Sequence, residues 1–490
     1  MRRELRAGGK TREGNAEAQR AQRREGRREE KWESMFDGDD ERGLAKAAAK
    51  LAQGFGALPE FTAWKPDEAR LGEVLALTAE RLRDNYPYFH PLYAGQMLKP
   101  PHPVARLAYA LAMNINPNNH ALDGGRATSA MEKEAVGEIA AMFGWKSCLG
   151  HLCGGGTMAN LEALWVAGQL HPGKTILASS QAHYTHKRIS AVLQLPFEAV
   201  ECDALGRMDI GRLQERLEQG NVGTVVATLG TTATGSVDAL PEILKLRERY
   251  GFRIHADAAY GGYYALASNL GAGAAEALAQ AAEADSIVID PHKHGLQPYG
   301  CGCVLFRDPG AGKLYKHDSP YTYFSSTELH LGEISLECSR PGAAAAALWA
   351  TQKLLPLVKG GEFARALERS RDAALALHRH VQQSKYFAAA FAPELDIVIF
   401  AARAATASES SVLARRIFDA AARGDLHLAV AELPAKFWRE THGAMRLDRD
   451  TITCLRSVLM KPEHLDWVGR IWERLESAAE AVFRSAAHAH

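Results

Sequence analysis

Four short segments hold residue types that could work together on one small, flat, anionic ligand. In Gly154-Gly155-Gly156-Thr157-Met158-Ala159-Asn160-Leu161-Glu162 a glycine cluster opens a helical pattern. Glycines let the backbone approach a phosphate, and a helix start offers unpaired N–H groups and the positive end of its dipole. Thr157 adds a hydroxyl. The spacings GxGxxG and GxxxxGKS/T are absent, which disfavours a nucleotide. In Gln181-Ala182-His183-Tyr184-Thr185-His186-Lys187, the His183 imidazole could stack on an aromatic ring. Ile254-His255-Ala256-Asp257-Ala258-Ala259-Tyr260 reads as a buried strand ending in a carboxylate, the position at which α/β proteins hold ligands. A carboxylate buried there needs a cationic or hydrogen-bonding partner, and small Ala259 leaves room for a ring. Finally, Ser286-Ile287-Val288-Ile289-Asp290-Pro291-His292-Lys293-His294-Gly295 runs a strand into a lysine placed to condense with an aldehyde.

Each segment alone has an ordinary explanation: a glycine turn, a capping histidine or aspartate, an exposed loop lysine. Together they meet the needs of pyridoxal 5'-phosphate (PLP), namely a phosphate cup, a ring stack, an acid for the pyridine nitrogen and a lysine for the aldehyde. No metal is expected. Cys301 and Cys303 lack a second Cys/His pair at zinc spacing and read as strand residues.

The intervening pattern fits an α/β enzyme. Apolar runs at 175–178, 198–202, 224–228, 253–256, 286–289 and 302–306 alternate with helical stretches at 157–170, 182–193, 209–218, 240–249 and 271–282. That alternation predicts a mostly parallel sheet covered on both faces. Upstream, Leu71, Val74, Leu75, Leu77 and Leu82 recur at helical spacing within 67–86, and further helices are predicted at 103–113 and 129–143. Beyond 330, helices at 342–355, 361–384, 411–423 and 463–483 and strands at 396–400 and 450–459 predict a smaller α+β domain. The expected division is a disordered basic tail (1–35), an N-terminal helical segment (36–115), a large domain (116–345) and a small C-terminal domain (346–490).

The 490 residues are 47% hydrophobic and 24% charged with zero formal net charge. Balanced charge gives no steering towards nucleic acid or an anionic membrane, and no apolar run is long enough to span a bilayer. Seven dispersed cysteines, an odd number, read as reduced thiols of a cytoplasmic protein. Residues 1–31 hold eleven Lys/Arg and six Asp/Glu, a solvated tail rather than a targeting signal.

Gly154–Glu162, Gln181–His183, His255–Gly262 and Asp290–Gly295 resemble the motifs of the group II PLP-dependent decarboxylases, which include aromatic amino acid, glutamate, histidine and archaeal tyrosine/aspartate decarboxylases. The resemblance runs from roughly residue 65 to 465. It implies the aspartate-aminotransferase-like PLP-transferase fold, with a seven-stranded, mostly parallel sheet in the large domain. It also implies a homodimer, formed through the N-terminal segment, with its active site at the interface. By the same resemblance Lys293 forms the Schiff base, Asp257 pairs with the pyridine nitrogen and His183 stacks on the ring. Gly155, Gly156 and Thr157 hold the phosphate, with Thr231, Asp290 and His292 near it and Ala259 beside the ring. Many members have Asn where this chain has Asp290, and a carboxylate there repels a phosphate.

A loop tyrosine, Tyr321 or Tyr323, would protonate the α-carbon across the dimer interface. Arg456 would meet the substrate carboxylate, with Arg340 in support, and Tyr93 lies in a segment expected to line the substrate pocket. The implied reaction is that of a carboxy-lyase, converting an L-amino acid to its amine and CO2. The alternative on the same fold is a carbon–carbon or carbon–sulfur lyase.

Overall fold

The computed structural model describes residues 38–120, 124–316 and 334–487. The chain divides into two units, residues 1–65 and 66–490. In the first, helix α1 (Gly38–Gly54) opens with Asp39, Asp40 and Glu41, acids that complement the positive helix start, and buries no side chain.

Within the second unit, runs of Val, Ile and small residues form strands covered on both faces. The large sheet comprises β1 (Leu149–Cys153), β2 (Thr175–Ser179), β3 (Phe197–Val200), β4 (Val222–Thr228), β5 (Arg253–Asp257), β6 (Ser286–Ile289) and β7 (Gly302–Phe306). Strand β6 is buried along its whole length and β4 at every residue but the first. Leu177, Val225, Ile254, Ile287 and Leu305 are fully enclosed in the core between sheet and helices, each worth roughly 1.5–3 kcal/mol of burial.

The strand order is β1-β7-β6-β5-β4-β2-β3. Strands β2 to β6 run parallel, whereas β7 is antiparallel to both β6 and β1. Because β5 and β6 are parallel and Asp257 lies in register with Val288, the residues that follow both strands emerge at one edge of the sheet. Helix α4 (Arg126–Met142), which precedes β1, and the connecting helices α5 (Gly156–Leu170), α6 (Thr185–Val192), α7 (Ile210–Glu218), α8 (Leu240–Tyr250) and α9 (Ala272–Ala279) flank this sheet.

Upstream lie α2 (Glu68–Leu82), capped by the Asp67 side chain on the Arg70 N–H, and α3 (Pro103–Met113). The apolar positions of α2 are exposed: Leu71, Val74, Leu75, Leu77 and Leu82 all face solvent. Helix α10 (Gly342–Leu354) packs against α3 and α4.

The C-terminal region forms an antiparallel sheet of order β10-β11-β9-β8 from β8 (Phe387–Ala389), β9 (Ile397–Ala402), β10 (Ala429–Pro434) and β11 (Thr451–Val458). Helices α11 (Glu362–Gln383), α12 (Ala407–Arg423) and α13 (His464–Ala487) cover it. Helix α12 begins earlier than the apolar spacing suggests, because Thr406 and Glu409 form a reciprocal capping box.

Three strands escape the sequence reading for physical reasons. Gly150 and His151 interrupt the apolar run of β1, β8 has only three residues, and β10 is an edge strand carrying Glu432 and ending in Pro434.

Candidate active site

The C-terminal ends of β5 and β6 and the start of α5 enclose a cavity of about 520 Å3. Gly154, Gly155, Gly156, Thr157, His183, Asp257, Ala259, Asp290, His292 and Lys293 all line it, so the four chemical segments of the sequence converge there.

Gly155 adopts φ +139°, a backbone state that side chains rarely allow. A Cβ at Gly155 would approach His292 Cε1 to 3.0 Å, and one at Gly156 would approach Asp290 Oδ2 to 2.7 Å. The loop after β6 therefore presses directly on the first turn of α5. His292 Nδ1, buried beside this cup, has no hydrogen-bond partner among the described residues, and burial pushes its ring below its ordinary pKa.

Lys293 follows β6 on a tight turn in which its N–H donates to the Asp290 carbonyl at 2.9 Å. Its Nζ lies 3.0 Å from Asp290 Oδ2. Asp257 ends β5. Its Oδ1 accepts the Ala259 N–H at 3.2 Å, while Oδ2 lies 2.8 Å from His186 Nε2 and 3.4 Å from Asn160 Nδ2. Burial alone would raise the Asp257 carboxyl, but the His186 hydrogen bond, with Lys293 nearby, outweighs it and holds the group well below the usual carboxylate range. Behind Asn160, burial pushes His255 down to about 3, so the ring is neutral. Its Nε2 is 2.7 Å from Asn160 Oδ1 and its Nδ1 is 2.9 Å from Ser286 Oγ. His186, Asn160 and His255 thus orient Asp257, although sequence reasoning gave them no role. The available signal was that His186 stands three residues after His183 and turns inward at the start of α6.

His183 sits at the cavity wall with Nδ1 2.7 Å from Thr185 Oγ1. Burial lowers its pKa against the pull of Asp257, which leaves a neutral ring available for stacking.

Four expected residues sit elsewhere. Thr231 does not line the cavity: its buried hydroxyl lies 2.6 Å from Thr234 Oγ1, and Gly230 and Thr232 face the cavity instead. Arg456, on β11, is buried, but its donors meet the carbonyls of Gly95, Thr232 and Ala233 and the Gln96 side chain, so it braces the wall from behind. Tyr93 packs among Tyr86, Tyr88 and His427, with the Lys461 ammonium 5.3 Å from its ring centroid. Arg340 is paired with Glu132 at 2.6 Å beneath β1. Tyr321 and Tyr323 lie outside the described residues.

Glu337 and Tyr260 are among the lining residues to which the sequence gave no role. Glu337 accepts the Gly154 N–H at 2.9 Å. Tyr260 donates its hydroxyl to Asp396 Oδ1 at 2.5 Å, and Asp396 Oδ2 lies 3.3 Å from His294 Nε2. Asp396 immediately precedes β9, so the C-terminal sheet region reaches the residue next to Lys293. Burial raises the Asp396 carboxyl and drives His294 well below its ordinary value.

A glycine cup that any Cβ would fill, an orphaned imidazole nitrogen beside it, a lysine amine and a buried ionised acid fit PLP. With a mixed seven-stranded sheet and a small antiparallel C-terminal sheet, they define an aminotransferase-fold PLP enzyme. Comparison with known proteins agrees. The profile described as "Pyridoxal-dependent decarboxylase conserved domain" matches residues 158–403, and the chain belongs to that family. It is 27% identical over 408 residues to an L-tyrosine decarboxylase of Enterococcus faecium, covering 63% of this chain and 66% of that enzyme. It is 29% identical over 262 residues to a probable L-tyrosine/L-aspartate decarboxylase of Methanothermobacter thermautotrophicus, covering 53% of this chain and 70% of the relative. Among solved structures, mouse CSAD superposes with a TM-score of 0.71 at 20% identity, covering 87% of this chain and 91% of that one. Oryza sativa TDC with PLP and tryptamine superposes at 0.70 with 17% identity, covering 91% and 99%. At these identities the structural likeness speaks for the fold.

Proposed function

We propose that this chain removes CO2 from an L-amino acid, using PLP held on Lys293. The observation that carries the reading is the meeting of Lys293, Asp257, His183 and the Gly154–Thr157 turn in one cavity. When bound, the cofactor supplies a conjugated pyridinium that takes up the electron pair left on the α-carbon as CO2 departs.

The chain's own residues do the rest. Asp257, kept ionised by His186, holds the proton on the pyridine nitrogen. His183 offers its neutral ring for stacking, and Gly155, Gly156 and Thr157 present N–H and hydroxyl donors to the phosphate, joined by His292 Nδ1. Lys293 would hold the cofactor, its amine being the nucleophile in the cavity suited to an aldehyde. Arg456 has no ion pair among the described residues and supplies positive charge behind Thr232 for a substrate carboxylate. On sequence grounds, Tyr321 or Tyr323 delivers the proton to the α-carbon.

A homodimer accounts for α2, whose five exposed large apolar side chains are unusual for a surface helix. A cytoplasmic setting agrees with seven cysteines, none of them in a disulfide. The test is to add PLP to the purified chain and screen L-amino acids for CO2 and amine, starting with L-tyrosine and L-aspartate, the substrates in the relatives' names. CO2 release with the matching amine is expected. An aldehyde without CO2 would select the carbon–carbon lyase, and failure to form a visible absorbance band with PLP would reject the enzyme reading.

A further inference from the structure

We infer that Asp290 opposes the phosphate in the glycine cup, so that this chain retains its cofactor chiefly through Lys293. The inference rests on the reading that the cavity takes PLP, and it concerns what sets the strength of that binding.

Asp290 ends β6 and is buried. Its carboxylate forms one wall of the cup, because a Cβ at Gly156 would lie 2.7 Å from Oδ2 and 3.1 Å from Oδ1. Lys293 balances that charge at 3.0 Å. His292, at 3.5 Å, is kept below its ordinary pKa by burial and supplies little positive charge at neutral pH. Oδ1 has no hydrogen-bond partner among the described residues. A second carboxylate, Glu337, occupies the Gly154 N–H. Among the described residues lining the cavity, Lys293 is the only Lys or Arg, set against the carboxylates of Asp257, Asp290 and Glu337.

Loading therefore disturbs a balanced arrangement. The Lys293 ammonium gives up a proton and its amine condenses with the aldehyde, whose oxygen leaves as water. The phosphate then brings close to two negative charges beside Asp290 as its ammonium partner turns to the cofactor. Like charges at such range in a partly buried site repel strongly. The helix start and the glycine N–H groups still attract the phosphate, but against a fixed opponent.

The experiment uses the full cofactor-free chain and its Asp290→Asn variant. Binding of inorganic phosphate, PLP and unphosphorylated pyridoxal is measured by calorimetry and absorbance. Asp290→Asn is expected to tighten phosphate and PLP by roughly tenfold or more while changing pyridoxal much less. Asp290→Ser should act in the same direction, and circular dichroism checks that both variants fold. Equal tightening of pyridoxal would overturn the inference, because the carboxylate would then act only by holding Lys293. Unchanged or weakened phosphate binding would also overturn it, because Asp290 would then assist the anion. A chain that shows the expected shifts yet releases no CO2 leaves this inference standing and removes the decarboxylase reading alone.

Discussion

His186 Nε2 lies 2.8 Å from Asp257 Oδ2, and both side chains are buried. That contact holds Asp257 well below the usual carboxylate range despite its burial. Because the folded-state pKa is depressed, the ionised acid contributes stability at neutral pH that is lost only in strong acid. His186→Ala leaves burial less opposed and moves that loss to higher pH. A hydrogen bond to a charged group is worth about 1.5–3 kcal/mol, so turnover should fall about 10- to 100-fold and the acid limb of its pH profile should move upward. His186→Gln, which keeps a donor, should restore part of both. An unmoved acid limb in His186→Ala would show that His186 only packs.

Lys293→Ala removes the amine and leaves Asp290 without its 3.0 Å partner. No visible absorbance band should form with PLP, and turnover should vanish. Retained activity would refute the anchor.

Burial pushes both His255 and His464 down to about 3, from an ordinary value of 6.5. Unfolding lets each ring take a proton as pH falls below 6.5. Each neutral ring therefore contributes stability above that pH that is lost progressively towards pH 3, at most about 1.4 kcal/mol per pH unit per residue. Urea unfolding followed from neutral to mildly acid pH should show the decline, and His255→Asn should flatten it. An equally steep decline in that variant would exclude His255 as a source.

Glu132 accepts from Arg340 and Asn119 at 2.6 Å each and from the Leu152 N–H at 2.9 Å. Glu132→Leu strands a buried guanidinium, at about 3–5 kcal/mol, which should appear as a lower urea midpoint. Combining it with Arg340→Met should recover much of the loss. No recovery would mean that the backbone contact to β1 matters more than the charge pair.

Helix α2 exposes Val74 and Leu75 on one apolar face. If that face joins two copies, Leu75→Asp should shift light-scattering mass from dimer to monomer. A monomeric parent chain, or a variant that stays dimeric, would remove α2 from the interface.

Much of this site was legible because its residues punctuate regular elements. Asp257 ends the buried strand β5, Lys293 follows the Val/Ile-rich β6, and the glycine cup stands where α5 starts. What stayed hidden depends on pairings across long sequence separations: His186 with Asp257, Asn160 with His255, Tyr260 with Asp396. No periodicity announces such partners. Thr231 and Thr232 show a finer limit, since adjacent residues in an irregular turn face different ways and only the chain path decides which one lines the cavity. Arg456 was expected to meet the substrate carboxylate, yet its strand brings its donors against three backbone carbonyls.

Asp396, immediately before β9 of the C-terminal sheet, accepts the Tyr260 hydroxyl and lies 3.3 Å from His294, the neighbour of Lys293. The C-terminal third is consequently not an interchangeable module. A chimera that grafts the corresponding region of a relative onto this chain inherits a competent lysine environment only if the donor places an acid in the register of position 396.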